Sequence, residues 1–187
     1  MSNREADLLV ALQDAVVKNP SGHTVQAAAR GLSHFGEHSL GWLAIAAAGA
    51  VAHRGDTDIR KGRDAWLAMG AAAFTAHAAS VVIKRIVRRQ RPHDPRIVVG
   101  VGTPSSLSFP SSHATSTAAA LVALSRISGS KAPLAGIPVM MASRLVLGVH
   151  YPTDVCAGVA LGVATEQTVH RFAVRRTAGG TSKENGR

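Results

Sequence analysis

The chain predicts an all-α fold: a helical transmembrane bundle with about five spans, preceded by amphipathic N-terminal helices. Three observations lead there. Of its 187 residues 46% are hydrophobic, although the formal net charge is +10. The apolar residues gather in five runs, 39–52, 65–83, 114–124, 133–149 and 155–174. Several fall short of the roughly 20 residues that cross a bilayer, but their Ser, Thr, Gly and His flanks extend them to adequate tilted spans. The runs are also rich in Ala and Gly, and Gly158 and Gly162 make a small-xxx-small face that lets helices approach closely.

Composition narrows the function classes. A pI near 11.2 invites a nucleic-acid reading, but single-strand binders interleave aromatics with their cations, and only 4% of these residues are aromatic. No nucleic-acid partner is expected. The one cysteine, Cys156, excludes an internal disulfide and is expected to be a small core residue. Met1 to Asp7 is polar and no apolar region with a cleavage site follows, so no signal peptide is expected.

In chain order, Leu8, Leu9, Leu12 and Val16 recur at helical spacing against Glu5, Asp7, Gln13 and Asp14. Asn19-Pro20-Ser21-Gly22 interrupts the pattern, and Val25, Ala28, Leu32 and Phe35 resume it. Residues 1–38 therefore read as two interfacial helices of a single membrane-embedded domain, 1–176. A soluble helical hairpin fits this stretch equally well. Inside the apolar runs His77, Ser80 and Glu166 must face the protein interior. Residues 177–187 are polar and read as a disordered tail.

The chemistry concentrates between residues 84 and 154. Pro110 suits the first position of a helix, which would aim the amides of Ser111, Ser112 and His113 out of the helix end and make an anion site. If successive spans alternate in direction, Lys84, Pro110, Arg144 and the stretch His150 to Asp154 all fall on one face. Collected there are Lys84, Arg91, Ser111, Ser112, His113, Arg144, His150 and Asp154. They offer cations for a phosphate, two histidines for nucleophile and acid, and a carboxylate to orient one of them.

These residues carry a resemblance. Lys84-Arg85-Ile86-Val87-Arg88-Arg89-Gln90-Arg91-Pro92 resembles the first signature of the type-2 phosphatidic acid phosphatases, the vanadium haloperoxidase-like superfamily. Pro110-Ser111-Ser112-His113 resembles the second, with Ser112 in the usual glycine position. Ser143-Arg144 followed by His150 and Asp154 resembles the third. The resemblance implies that His150 attacks phosphorus and forms a phosphohistidine, while Asp154 holds the imidazole tautomer. It implies further that His113 protonates the leaving alkoxide and then activates water. Lys84, Arg91 and Arg144 would bind the phosphoryl oxygens, with Ser111, Ser112 and nearby amides in support. The scheme needs no metal and no cofactor.

It further implies a phosphoric monoester hydrolase of the plasma membrane, multi-pass, acting on a lipid-linked phosphate. The small size and the Ser-Ser-His variant are similar to an actinobacterial subgroup acting on polyprenyl phosphosugars in cell-wall synthesis. Phosphatidic acid, phosphatidylglycerophosphate and polyprenyl pyrophosphate are alternative substrates. Cation placement leans toward an active site on the outer side, and a homo-oligomer is compatible with the sequence.

Two literal matches are set aside. Pro20-Ser21-Gly22-His23 spells the second signature but precedes the first, and reads as a helix break. His34-Phe35-Gly36-Glu37-His38 matches a zinc peptidase pattern, with histidines four apart. That makes a zinc peptidase one competing class. A non-enzymatic basic membrane protein binding anionic lipid is the other.

Overall fold

The computed structural model describes residues 2–17, 19–58 and 61–184, with the backbone alone for 2, 3, 17 and 176–184. Seven α-helices follow one another: α1 (Ser2–Val17), α2 (Gly22–Phe35), α3 (Leu40–Ala52), α4 (Arg63–Val87), α5 (Ser112–Ser128), α6 (Gly136–Val146) and α7 (Pro152–Glu184). Short 3₁₀ turns, Glu37–Ser39 and Ala132–Ala135, lead into α3 and α6. The all-α expectation holds, and the break at Asn19 to Ser21 separates α1 from α2.

The helix α5 is the axis of the bundle, packed between α4 and α7. Its polar residues explain why it looked marginal as a span. Thr115 Oγ1 donates to the Ser111 carbonyl at 2.8 Å and Ser116 Oγ to the Ser112 carbonyl at 3.1 Å. Such back-bonding satisfies hydroxyls inside a protein without water. Small residues permit this crowding. A Cβ on Gly158 would stand 2.7 Å from the Ser111 carbonyl oxygen, and one on Gly162 would clash with that of Thr115. The Gly158–Gly162 face expected from sequence therefore seats α7 backbone-to-backbone on α5. The core of Trp42, Met69, Ala73, Ala120, Leu121 and Ile127 joins α3, α4 and α5, and the Trp42 indole donates to Thr117 Oγ1 at 3.1 Å.

Ser80 and Glu166 are buried as expected and His77 is half-buried. Glu166 pairs with Arg126 at 3.0 Å, which offsets the cost of a buried carboxylate. Cys156, expected in the core, is exposed. The inward stripe of α7 is Val155, Gly158, Gly162 and Glu166, and Cys156 lies about 100° round the helix from Val155. The helix α7 runs through Glu184, and residues 185–187 of the expected tail lie outside the described residues. Propagating an existing helix adds one hydrogen bond per residue without a new nucleus.

Among the described residues one helix, α4, is long and apolar enough to cross a membrane, and the apolar stretch Ala132–Val146 is shorter. The five runs read from sequence correspond to α3 through α7, but α3 has 13 residues and α6 has 11.

The N-terminal helices do not lie apart from the bundle. Ala6 and Leu9 of α1 pack on Ile97 and Tyr151, and Leu12, Val16 and Val25 pack on Val146, Leu147 and Val149. Gln13, which sequence placed on the polar face of α1, is buried. Its amide nitrogen donates to the carbonyls of Val98 and Val146, and its oxygen accepts from the Val98 amide. Both helices thus brace one end of the bundle, and that end holds the site.

Candidate active site

Four helix ends converge there: the C-terminal end of α4 with Lys84, the N-terminus of α5 with Ser112 and His113, the last turn of α6 with Arg144, and the start of α7 with Asp154. A cavity of about 580 Å³ lies between them, lined by Lys84, Arg91, Ser112, His113, Arg144 and His150 among others. The alternation of direction inferred from sequence therefore does bring these separated residues to one pocket. Two strands of loop close its floor: Arg91 N–H donates to the Ser106 carbonyl and Ser108 N–H to that of Arg89, at 3.0 and 2.7 Å.

His150 sits in the turn between α6 and α7, 2% exposed. Gly148, with φ +66°, makes the reversal. Arg91 Nη1 lies 3.2 Å from His150 Nε2. A guanidinium can only donate, so Nε2 is the unprotonated nitrogen, its lone pair accepting from Arg91, and Nδ1 carries the proton. Nδ1 faces Asp154 Oδ2 at 3.6 Å. Burial first, and then the charges of Arg91, Lys84 and Arg144, push the His150 imidazole well below its ordinary 6.5. Its neutral, nucleophilic form is therefore the resting one.

Asp154 does not touch the cavity. It is fully buried behind His150, accepts the Tyr151 N–H at Oδ2 (2.8 Å), and accepts Arg89 Nη1 at Oδ1 (2.9 Å). Arg89 also reaches the Thr153 hydroxyl and the carboxylate of Glu5 on α1, and it covers the Tyr151 ring at 4.2 Å. Glu5 in turn accepts the Thr153 amide and hydroxyl at 3.0 and 2.7 Å. The sequence reading left Arg89 and Glu5 unassigned. A signal for Arg89 was there: a carboxylate at a helix start inside a protein needs a cation, and Arg89 lies in the first basic segment.

The cations divide by what they hold. Lys84 Nζ donates to the carbonyls of Leu107, Ser108 and Pro110 at 3.4, 2.9 and 2.6 Å. All three of its protons thus shape the loop before α5. Arg91 Nε donates to the Ser105 carbonyl and Nη1 to that of Val149, and burial brings this guanidinium down to about 10, still charged at neutral pH. Arg144 is different. It is 2% exposed, and its Nε and Nη1 have no acceptor among the described residues. A buried, charged donor pair without acceptors is costly unless an oxyanion meets it.

The α5 entry also differs from the expectation in detail. Pro110 lies outside the helix, and Ser111 is the N-cap, its hydroxyl accepting the Ala114 amide at 3.4 Å. The Ser111 amide donates to the Asp154 carbonyl. Ser111 is thus fully buried behind the cavity wall and frames the site. The Ser112 and His113 amides are the first of the helix and have no intrahelical acceptor. Ser112, which stands where a glycine is usual, turns its hydroxyl to Ser80 Oγ on α4 at 2.8 Å. His113 Nε2 is held by the Ser33 carbonyl at 2.9 Å, a backbone contact that no side-chain pattern announces.

The alternative motifs do not assemble. His23 is not part of the cavity wall. The helix α2 ends at Phe35 and His38 has φ 49°, so His34 and His38 share no helix face. Among the described residues no group of three or more His, Cys, Asp or Glu is placed to hold a metal ion.

The PAP2 superfamily profile matches residues 65–178. The chain belongs to the PAP2 superfamily. The matched stretch contains every PAP2-like motif residue named above, whereas Glu5 and Ser33 fall outside it. Among its relatives is a protein of Mycolicibacterium smegmatis named decaprenylphosphoryl-5-phosphoribose phosphatase, 56% identical over 154 residues, 82% of this chain and 81% of that one. A Mycobacterium tuberculosis protein of the same name is 53% identical over 158 residues, 84% of each chain. Among solved structures, a transmembrane PAP2 type phosphatidylglycerolphosphate phosphatase from Bacillus subtilis superposes with a TM-score of 0.65 at 25% identity, covering 93% of this chain and 88% of that one.

Proposed function

We propose that this PAP2 protein is a membrane phosphatase that hydrolyses the 5-phosphomonoester of decaprenylphosphoryl-5-phosphoribose through a phosphohistidine. The names of relatives more than half identical over most of both chains support the substrate. The observation that carries the chemistry is the cavity itself: His150 and His113 on its walls, with the unpartnered Nε and Nη1 of Arg144 between the helix ends.

His150 Nε2 attacks phosphorus and the bond to the ribose 5-oxygen breaks. His113 enters protonated; its Nε2–H stays on the Ser33 carbonyl and its Nδ1 proton passes to that oxygen, so the leaving group departs as an alcohol. His113 then takes a proton from water, the hydroxide attacks the phosphohistidine, and the phosphorus–nitrogen bond breaks to release inorganic phosphate and neutral His150. Arg144 and Arg91 stabilise the equatorial oxygens, a kind of preorganised contact whose loss costs about 3–4 kcal/mol of barrier. Asp154 stabilises the Nδ1 proton while Nε2 carries the phosphoryl group. Lys84 and Ser111 hold the loop and the helix cap, and the Ser112 amide completes the anion site.

The likeness to a transmembrane PAP2 phosphatase supports a plasma-membrane location, with α3 to α7 crossing and α1 and α2 at the interface. One experiment tests the reaction. Purified protein in detergent releases phosphate from decaprenylphosphoryl-5-phosphoribose and forms an acid-labile phosphoenzyme, and His150→Ala loses both. Wild-type turnover by His150→Ala would refute the nucleophile.

A further inference from the structure

The cavity is far larger than one phosphate, at about 580 Å³ in the range of a whole small-molecule ligand. Its basic side chains form two sets. Lys84, Arg91, Arg144 and the two catalytic imidazoles line the inner part and are largely buried. A second set, His34, His38, His77 and Arg85, lines the same cavity but is exposed or half-buried. None of these four has a role in the chemistry above.

The outer set is arranged rather than scattered. His77, Val81, Lys84 and Arg85 follow at i, i+4, i+7 and i+8, one face of α4 about 12 Å long. The His38 ring packs on the His77 ring at 5.9 Å between centroids. It is carried there by two successive left-handed residues, His38 and Ser39 (φ 49° and 63°), a backbone state that costs energy in non-glycine residues and persists where surroundings impose it. His77 Nδ1 is buried and has no partner, and the exposed Arg85 makes no hydrogen bond or ion pair among the described residues. The one carboxylate in the wall, Glu37, stands 4.0 Å from Nδ1 of both His34 and His38. Arg85 and His77 have no such carboxylate contact among the described residues.

A polyprenylphosphoryl phosphosugar carries two anions: the monoester that is cleaved, and the phosphodiester joining the sugar to its chain. Both sets line one cavity of about 580 Å³, so a substrate whose monoester meets Arg144 extends past the outer set. We infer that the outer part of the cavity is a second anion subsite, formed by Arg85 with the His38–His77 pair, which binds the phosphodiester of the substrate. This rests on the substrate proposed above. It gives the His-Phe-Gly-Glu-His stretch a ligand-binding role, with Glu37 placed to accept hydroxyls of the sugar. The subsite selects diester-linked substrates and leaves the phosphoryl chemistry to the inner set.

The test compares two substrates of equal chain length: a short-chain polyprenylphosphoryl-5-phosphoribose, and an alkyl riboside 5-phosphate whose ether link replaces the phosphodiester. Wild type is expected to favour the diester by roughly ten- to hundred-fold in kcat/KM, mostly through KM, as a charge-assisted hydrogen bond to phosphate is worth. Arg85→Gln should collapse that ratio to within about three-fold, and Arg85→Lys should restore part of it. His77→Gln should lower it to a lesser degree. A ratio unchanged in Arg85→Gln, or an equal loss on both substrates, overturns the subsite. So does a ratio that follows phosphatidylglycerol content of the micelle, since the ligand is then a neighbouring lipid headgroup. Failure of the substrate proposal is a separate signal, read on wild type alone: turnover of phosphatidylglycerophosphate and of neither riboside overturns both.

Discussion

The contact of Arg89 with Asp154 makes a quantitative prediction. Asp154 is fully buried, and Arg89, 27% exposed in its side chain, donates to Oδ1 at 2.9 Å. Replacing Arg89 by Gln removes a charge-assisted hydrogen bond of about 1.5–3 kcal/mol. Solvent screening at the partly open Arg89 reduces this to about 1–2 kcal/mol of stability. The effect on rate follows a different path. The carboxylate keeps the Tyr151 amide on Oδ2 but can now rotate toward the His150 Nδ1 proton or away from it, so the attacking ring is less well aimed. A misplacement of that order costs about ten- to hundred-fold in kcat, with KM little changed because Arg89 lies behind the wall. The acid limb of the pH–rate profile should also move. A carboxylate released from Arg89 pairs more strongly with the imidazolium form of His150, so the acid limb shifts to higher pH. Phosphate release across pH 5–9, with thermal unfolding in the same detergent, measures all three. Arg89→Gln with kcat within two-fold of wild type and an unmoved acid limb would falsify the positioning role.

Further outcomes follow from single contacts. Gly36→Ala places a Cβ 2.7 Å from His113 Cδ2 at an ordinary backbone angle, so the ring must leave the Ser33 carbonyl; kcat should fall about ten- to hundred-fold with little change in KM, as steady-state kinetics will show. Gly162→Ala meets a backbone carbonyl that cannot yield, and should lower stability by about 1–3 kcal/mol in thermal unfolding. His150 is held neutral far below 6.5, so kcat/KM should stay level as pH falls to 6.5 and decline only below it. Stability follows the same sign: the unfolded chain takes up the proton first, so the stability due to neutral His150 is full above 6.5 and is lost as pH falls. The loss approaches about 1.4 kcal/mol per pH unit, and His150→Gln should show a shallower acid decline in unfolding midpoint.

Helix periodicity and apolar runs made the bundle legible, because burying an apolar face is what builds it. The topology argument then placed Lys84, His113, Arg144 and His150 around one cavity from the order of turns alone. Less legible was how each group is employed. Lys84 and Ser111 carry ordinary phosphate-binding chemistry in sequence, yet the structure has them bonding local backbone. Such contacts depend on loop geometry that no spacing encodes. Gln13 and Glu5 were misread as solvent-facing because periodicity sees hydrophobicity, and both are polar residues facing inward to satisfy backbone or charge. Ser33 acts through its carbonyl, so its side chain carries no trace of the role. Cys156 was misplaced because an apolar neighbourhood does not say which side of α7 faces α5.

The glycines of α7 have an effect on the chemistry that reaches beyond packing. Where main chain rests on main chain at Ser111 and Thr115, no rotamer can flex to widen the gap, so the spacing between the helix that carries His113 and the turn that carries His150 is built like a rigid gauge. A lipid that is bulkier or longer must then be accommodated at the open rim. Among relatives sharing this gauge, divergence in headgroup preference should accumulate at the opening while the span between the two imidazoles stays constant.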